Sequence, residues 1–289
     1  MKITNLTWCA ERETHLEHRD LISLLAYRCL QDAPSLLGSS DSRWNYQDNG
    51  ADILAVAHCD HYNYGAPIQI TGKGKVISSA LDDRAGLHAI LDLLPLYGIA
   101  VDTLLTTDEE RGQSTARDWL RSNGGKLPKD YRYVFSFDRA GRDAVYYEPM
   151  PAEFIDAAKA HWEIGLGSYS DVAEFELLAP HLNCGISYRC QHTGACNLFY
   201  SDLLECVERF ARFHANTLGM RWTMPTERPH SHIWKSWDWK ETSPGNYRLH
   251  ELSDEDLESA PRWDRCGQCD GWFQVDQLDH RGLCEDCRP

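Results

Sequence analysis

Ile53-Leu-Ala-Val-Ala57 is an unbroken apolar run that ends directly on His58-Cys-Asp60. Without a polar alternation it reads as a strand buried on both faces, the kind found inside a parallel sheet. The arrangement recurs twice: residues 101–107 are a strand-like run followed by Glu109-Glu110, and residues 131–137 another ending on Asp138. In an open α/β sheet, ligands collect at the carboxyl ends of the strands. Together with Asp82-Asp83-Arg84 and His192, these patches line up in order as a complete ligand set for two metal ions.

The surrounding pattern alternates strand and helix. Residues 11–32 carry leucines at helical spacing and are expected to form a helix ended near Pro34. Residues 44–46 and 73–78 read as short strands, and 84–97 as a helix with Leu87, Ile90, Leu91 and Leu94 on one face. Residues 113–122 form a predicted helix closed by Gly124-Gly125. A strand at 144–147 is expected to pair as a hairpin with 131–137. A helix follows over 151–163 with proline in its first turn, then a strand over 184–190 leading to His192, and a long helix over 198–218. This sum predicts an α/β fold: a three-layer sandwich around a mixed, mostly parallel central sheet. Three segments are expected: 1–222 as the α/β domain that carries the candidate metal ligands, 223–262 as an irregular, acidic, tryptophan-rich arm, and 263–289 as a small cysteine module.

Composition narrows the function. At 289 residues with 42% hydrophobic residues the chain can bury a sizeable core, and its net charge of −15 disfavours nucleic acid as a partner. No apolar run approaches the ~18 residues that span a membrane. The start, Met1-Lys-Ile-Thr-Asn-Leu-Thr-Trp, is too short and polar for a signal peptide. The eleven cysteines then read as reduced thiols and metal ligands of a cytoplasmic protein.

The residue types suit zinc, which takes imidazole nitrogen and carboxylate oxygen, although cobalt or manganese can occupy such sites. Asp60, two residues beyond His58, falls on the same side of an extended chain and can accept the other imidazole N–H. The neighbours Glu109 and Glu110 point in different directions, so one can hold metal while the other serves as general base.

Ala80-Leu-Asp-Asp-Arg-Ala-Gly86, Thr107-Asp-Glu-Glu-Arg-Gly112, Phe137-Asp138, Gly167-Ser-Tyr-Ser-Asp171 and Ile186-Ser-Tyr-Arg…His192-Thr193 together resemble the co-catalytic dizinc exopeptidases, a superfamily that includes leucyl and tetrahedral aminopeptidases. The resemblance covers residues 15–218. It implies that Asp82 bridges two zinc ions, that one ion takes His58 and Asp138, and that the other takes Glu110 and His192. It makes Glu109 the general base that takes a proton from a dizinc-bridging hydroxide's parent water. The implied activity is hydrolysis of an amide bond, most simply as an aminopeptidase on a peptide or small amide. A deacylase or amidase on a small N-acylated molecule is the rival enzyme, and a catalytically idle metal-binding scaffold the rival outside enzymes. The gaps of 24 and 28 residues flanking the bridging and glutamate segments leave no room for the lid or dimerisation domain that many relatives insert there.

Cys266-x2-Cys269 and Cys284-x2-Cys287, fourteen residues apart, match the spacing of a four-cysteine structural zinc site. From residue 250 onward eleven acidic residues face four basic ones, so a protein partner suits this ribbon better than nucleic acid. Trp272 and Phe273 are core or docking surface. Cys59, Cys190 and Cys196 read as packing residues, and His230-Ser-His232 as a solvent-exposed turn. Trp234, Trp237 and Trp239 read as anchors of the arm, and Asp171 as a loop cap or an orienting carboxylate.

Overall fold

Six strands make the central sheet, in the order β1-β5-β2-β6-β8-β7. The computed structural model describes residues 18–39, 42–61, 68–165, 167 and 169–225, and the backbone of 263–265 and 272–274. The main-sheet strands are β1 (Asn45–Gln47), β2 (Leu54–His58), β5 (Asp102–Thr106), β6 (Val134–Arg139), β7 (Ala144–Val145) and β8 (His181–Gly185). The four inner strands run parallel, and β1 and β7 close the two edges antiparallel. The short strands β3 (Gln69–Ile70), β4 (Lys75–Ile77) and β9 (Asn197–Phe199) form a separate antiparallel sheet.

Alternation along the strands explains the layers, because successive side chains point to opposite faces. Ala55, Ala57, Leu105, Phe135 and Phe137 belong to one apolar cluster. It is covered by α1 (His18–Leu30), α3 (Leu81–His88) and α6 (Tyr200–Asn216), with the Phe135 and Phe210 ring centroids 4.2 Å apart. Leu54, Val56, Leu104 and Val134 face the other way, onto Trp119 and Leu120 of α4 (Thr115–Ser122) and onto Phe175. The result is the expected α/β architecture with a mixed, mostly parallel sheet.

Four local expectations are corrected. The first helix stops at Leu30, and Pro34 lies in the first turn of a new short helix, α2 (Ala33–Leu37), capped by the Asp32 carboxylate on the Ser35 N–H at 2.8 Å. Proline's missing donor costs nothing in a first turn, so here it starts a helix instead of ending one. The 84–97 helix is continuous but changes its hydrogen-bond pattern, passing from α3 through a π turn over Ala89–Leu93 to a 3-10 turn over Leu94–Tyr97. Strand β7 pairs with β8, not with β6, because β8 takes the place beside β6. The strand before His192 covers Cys184 and Gly185 but ends there. Ser187, Cys190 and His192 adopt positive φ, so the expected 184–190 strand is mostly a loop. The helix α5 (Ala152–Lys159) follows Pro151 as expected.

Contacts divide the chain into two units, Met1–Glu227 and Arg228–Pro289. In the second, Trp263–Arg265 and Trp272–Gln274 pair antiparallel as β10 and β11. The four cysteines Cys266, Cys269, Cys284 and Cys287, the His230 and His232 pair, and the arm's tryptophans lie outside the described residues. Among the described residues no helix is long and apolar enough to cross a membrane.

Candidate metal centre

The parallel strands deliver their C-terminal residues to one edge. His58 is the last residue of β2, Asp138 lies near the end of β6, and Glu109-Glu110 form a one-turn helix shortly after β5. Sequence order carries the chain from β2 to β5 on one side, and from β5 across β2 to β6 on the other. This reversal is the switch point at which such sheets open a crevice.

Asp82 reaches the edge from the start of α3. There Gly86 is required by close approach: a Cβ on it would meet Asp83 Oδ1 at 1.9 Å and the Phe137 carbonyl oxygen at 2.6 Å. The helix start thus packs directly on the ends of β2 and β6. The Asp83 carboxylate accepts the backbone N–H of His58 at 3.0 Å. Arg84, wholly buried, donates through Nη2 to the Cys59 carbonyl at 2.6 Å and the Gln31 carbonyl at 3.1 Å. These bonds tie α1, β2 and α3 together behind the site.

Within this frame the side chains form two groups that meet at Asp82. His58 Nε2 lies 3.3 Å from Asp138 Oδ1, 3.8 Å from Asp82 Oδ1 and 4.0 Å from Glu109 Oε2. His192 Nε2 lies 3.2 Å from Asp82 Oδ2 and 3.1 Å from Glu110 Oε2. One oxygen of Asp82 therefore faces each imidazole. Ligand-capable atoms of His58, Asp82 and Glu110 lie within 4.8 Å of one another, as do those of His58, Asp83 and Asp138.

Asp60 stands beside both groups. His58 Nδ1 is 3.1 Å from the Asp60 carbonyl and 3.5 Å from its carboxylate, so the backbone oxygen is the nearer acceptor. The other carboxylate oxygen of Asp60 accepts the Glu110 N–H at 3.3 Å.

Charge here is lopsided. Asp60, Asp82, Asp83, Glu109, Glu110 and Asp138 converge on two imidazoles. Burial alone would depress His58, but Asp138, Asp60 and Asp82 together hold it well above its ordinary value. Asp82 and Glu110 hydrogen-bond His192 and raise it to about 10. Burial opposes ionisation of Asp82, yet the two histidines keep it below the carboxylate range. Burial pushes Glu109 well up, helped by the neighbouring Asp138 charge. Burial likewise raises Asp83 and Asp138. Buried carboxylate oxygens of Asp60, Asp83 and Glu110 have no hydrogen-bond partner. Orphaned acceptors around a knot of carboxylates and imidazoles are what a hard or borderline cation would satisfy, so the residues present fit a divalent metal pair.

Four supporting residues were given no role of their own by the sequence reading. Asn183 on β8 clamps Asp138 from both sides, its Oδ1 accepting the Asp138 N–H at 3.1 Å and its Nδ2 donating to the Asp138 carbonyl at 2.9 Å, where the β6–β8 register shifts. The buried Tyr188 hydroxyl donates to Asp82 Oδ1 at 2.8 Å. Asp83 and Arg84 were noticed only as neighbours of Asp82. Their roles depend on contacts 25 to 106 residues away in sequence, which no local spacing encodes. Asp171 accepts a hydrogen bond from Thr106 Oγ1 beneath the site, and burial raises it to about 6.

A cavity of about 390 Å³ adjoins Asp60 and Glu110. Ala33, Pro34 and Leu37 line it on one side, and Asp108 and Arg111 line it as well.

No family model matches the chain, and no curated protein matches it. Among solved structures it is similar to aminopeptidase APDkam598 from the archaeon Desulfurococcus kamchatkensis, at 12% identity and a TM-score of 0.43 over 68% of this chain and 94% of that one. It is also similar to aminopeptidase PepT from Bacillus cereus, at 12% identity and a TM-score of 0.43 over 66% and 91%. An endoglucanase from Thermotoga maritima matches at 12% identity and a TM-score of 0.36 over 67% and 89%. These are likenesses at low identity, and the chemistry of the site rests on its own residues.

Proposed function

We propose that this chain is a two-metal hydrolase of amide bonds that acts as an aminopeptidase. The observation that carries the reading is Asp82, whose two oxygens face two different imidazoles, each with its own carboxylate. His58 and Asp138 would hold one ion, Glu110 and His192 the other, and Asp82 both. Zinc suits the donor set best, and cobalt or manganese would also be accepted. When bound, such a pair supplies Lewis-acid polarisation of the scissile carbonyl and a lowered pKa for the attacking water.

The chain's own residues do the rest. Glu109 is the general base: it is largely shielded from solvent, its Oε2 lies 4.0 Å from His58 Nε2, and a carboxylate there would take a proton from water and pass it to the leaving nitrogen. Asp60 fixes His58 through Nδ1 and Glu110 through its backbone, orienting one residue of each group. The cavity beside Asp60 and Glu110, with its apolar wall from α2, receives the substrate side chain next to the scissile bond. Residues 1–222 would carry this chemistry. Residues 223–262 would be an arm, and 263–289 a ribbon holding a third, structural zinc on Cys266, Cys269, Cys284 and Cys287 and offering a surface to a protein partner.

Metal counting tests the bridge. Zinc-loaded full-length protein should hold three ions, and Asp82→Asn should lose two of them at once. The wild-type protein should cleave amides of amino acids with a free α-amine, and leave N-acylated substrates intact. Loss of one ion only would remove the bridging role of Asp82. Cleavage restricted to N-acyl substrates would make the enzyme a deacylase.

A further inference from the structure

The loop that brings His192 to the site is closed at its base by an antiparallel bridge. Arg189 and Asn197 exchange both backbone hydrogen bonds, Arg189 N–H to the Asn197 carbonyl at 2.8 Å and Asn197 N–H to the Arg189 carbonyl at 3.0 Å. One step inward stand Cys190 and Cys196. Cys190 leaves the ladder at positive φ, and the two cysteines flank a hydrogen-bonded pair, whose Cα atoms lie ~5.5 Å apart in such a ladder. A disulfide spans Cα separations of roughly 4.4–6.8 Å. Both residues are reduced thiols, and burial pushes the Cys196 thiol up.

Within the loop the hydrogen bonds are local. Thr193 Oγ1 donates to the Cys190 carbonyl at 2.7 Å, and the Cys196 N–H reaches the Thr193 carbonyl at 3.2 Å. On the far side the Cys196 carbonyl accepts the Ser78 N–H at 2.9 Å, four residues before Asp82. The His192 side chain is 51% exposed, and both Cys190 and His192 have positive φ. Of the six cysteines among the described residues, only Cys190 is not buried, so it is the one a small oxidant can reach.

We propose that Cys190 and Cys196 are a reversible dithiol that closes, on mild oxidation, into a disulfide clasp across the loop carrying His192. The consequence for metal rests on the two-metal reading above. With glutathione disulfide as oxidant, the Cys190 thiolate attacks one sulfur of the reagent. The S–S bond breaks, and one glutathione leaves and takes up a proton. The Cys196 sulfur then attacks the Cys190 sulfur of the mixed disulfide, the bond to glutathione breaks, and the departing glutathione takes up the Cys196 proton. Two protein thiols are oxidised and one glutathione disulfide is reduced to two thiols. The seven-residue ring so formed holds His192 in place before metal arrives and lowers the ordering cost of binding.

The test uses full-length, zinc-loaded protein treated with glutathione disulfide and mapped by mass spectrometry without reduction. The expected product joins the peptides of Cys190 and Cys196 and is absent from Cys190→Ser and Cys196→Ala. Release of one ion per chain to a chromogenic chelator should slow roughly tenfold in oxidised wild type, return to the fast rate with dithiothreitol, and stay fast in Cys190→Ser. Failure to form the cross-link in folded protein overturns the clasp, and so does a cross-link that leaves zinc release unchanged. If reduced wild type holds no more zinc than Asp82→Asn, the metal reading has failed instead, and the mapped peptide alone then decides the clasp.

Discussion

The two imidazoles that face Asp82 are held in opposite ways. His58 ends an inner strand, is 1% exposed, and is fixed through its backbone by Asp83 and through Nδ1 by the residue two positions on. His192 sits on a loop with positive φ, half exposed, and meets Asp82 and Glu110 through the tip of its ring. One half of the site is thus part of the sheet's core, while the other is laid over it. Where the frame already supplies the geometry, binding a ligand orders little. Where a loop supplies it, binding must pay for the order. The buried half should therefore hold its ion more tightly, and the loop half should set the exchangeable one.

On the proposed reading the chemistry belongs to the buried half, and this sets the largest expected effect. Glu109 faces His58, not His192, and is not assigned to hold metal. Glu109→Gln should keep the fold and both ions while turnover falls by about 10²–10⁴. Steady-state kinetics with parallel metal analysis checks this. Metal loss equal to that of Glu110→Gln, with activity retained, would exchange the roles of the adjacent glutamates.

Removing each imidazole in turn confronts the comparison directly. His58→Ala opens a void beside a largely buried knot of carboxylates and leaves them uncompensated. It should cost both ions and lower the melting temperature by more than about 5 °C. His192→Ala should lose one ion, with a melting temperature for the metal-free protein within about 2 °C of wild type. Calorimetry of metal-free and loaded protein separates the two outcomes. Equal destabilisation by the two variants would mean that the loop is as integral to the fold as the strand.

The same contrast explains what could be read from the chain. His58, Asp138 and the glutamate pair were legible because a strand buried on both faces is an apolar run, and the residue that ends it is conspicuous. The loop before His192 was not. Ile186-Ser-Tyr-Arg alternates like a strand, but the positive φ of Ser187, Cys190 and His192 turns the chain away after Gly185. What sets that path is tertiary: β9 pairs with β4, and Ser78 binds the Cys196 carbonyl. The partner of β7 was missed for a related reason. Nearness in sequence favoured a hairpin with β6, while the parallel β8 already filled that edge. Asn183 went unremarked, and Arg84 stood only as a neighbour of Asp82 and Asp83. Their value appears only when the backbone groups they clamp come together.

A third histidine sharpens the contrast between buried groups. His181, at the start of β8, is as buried as His58 but has no carboxylate beside it. Its Nδ1 meets only the Ala179 carbonyl at 3.0 Å, and its ring stacks on Tyr147. Burial pushes it down to about 4, where His58 is pushed up. The folded value lies below the unfolded value of ~6.5, so near pH 5 the unfolded chain binds the extra proton and stability rises with pH. The contribution is complete above ~6.5 and is lost as pH falls through about 4, amounting to about 3 kcal/mol at most. His214, also lowered to about 4 by burial, acts in the same direction. Denaturant titrations between pH 4 and 8 should show this slope, and His181→Asn should flatten it relative to wild type. An unchanged slope would mean that His181 is charged or solvated in the folded state.

Tyr188 joins the two halves, and its removal should give the smallest effect of the set. It lies on the His192 loop, four residues before that histidine, yet its hydroxyl donates to the Asp82 oxygen that faces His58. Burial raises the phenol well above its ordinary value, so it stays a donor at any working pH. The bond leaves the other Asp82 oxygen directed at His192. Tyr188→Phe keeps the ring and removes only the donor, so the fold should hold. Asp82 would then turn more freely, and affinity for the exchangeable ion should fall about tenfold, the usual scale for a group that orients a ligand without binding metal itself. The tightly held ion should be almost unaffected, because Asp138 and His58 are fixed independently by Asn183, Asp83 and Asp60. Competitive zinc titration with a fluorescent chelator would resolve the two affinities. Equal weakening of both ions would show that the halves are one cooperative unit, and the division drawn from their different exposure would have to be abandoned.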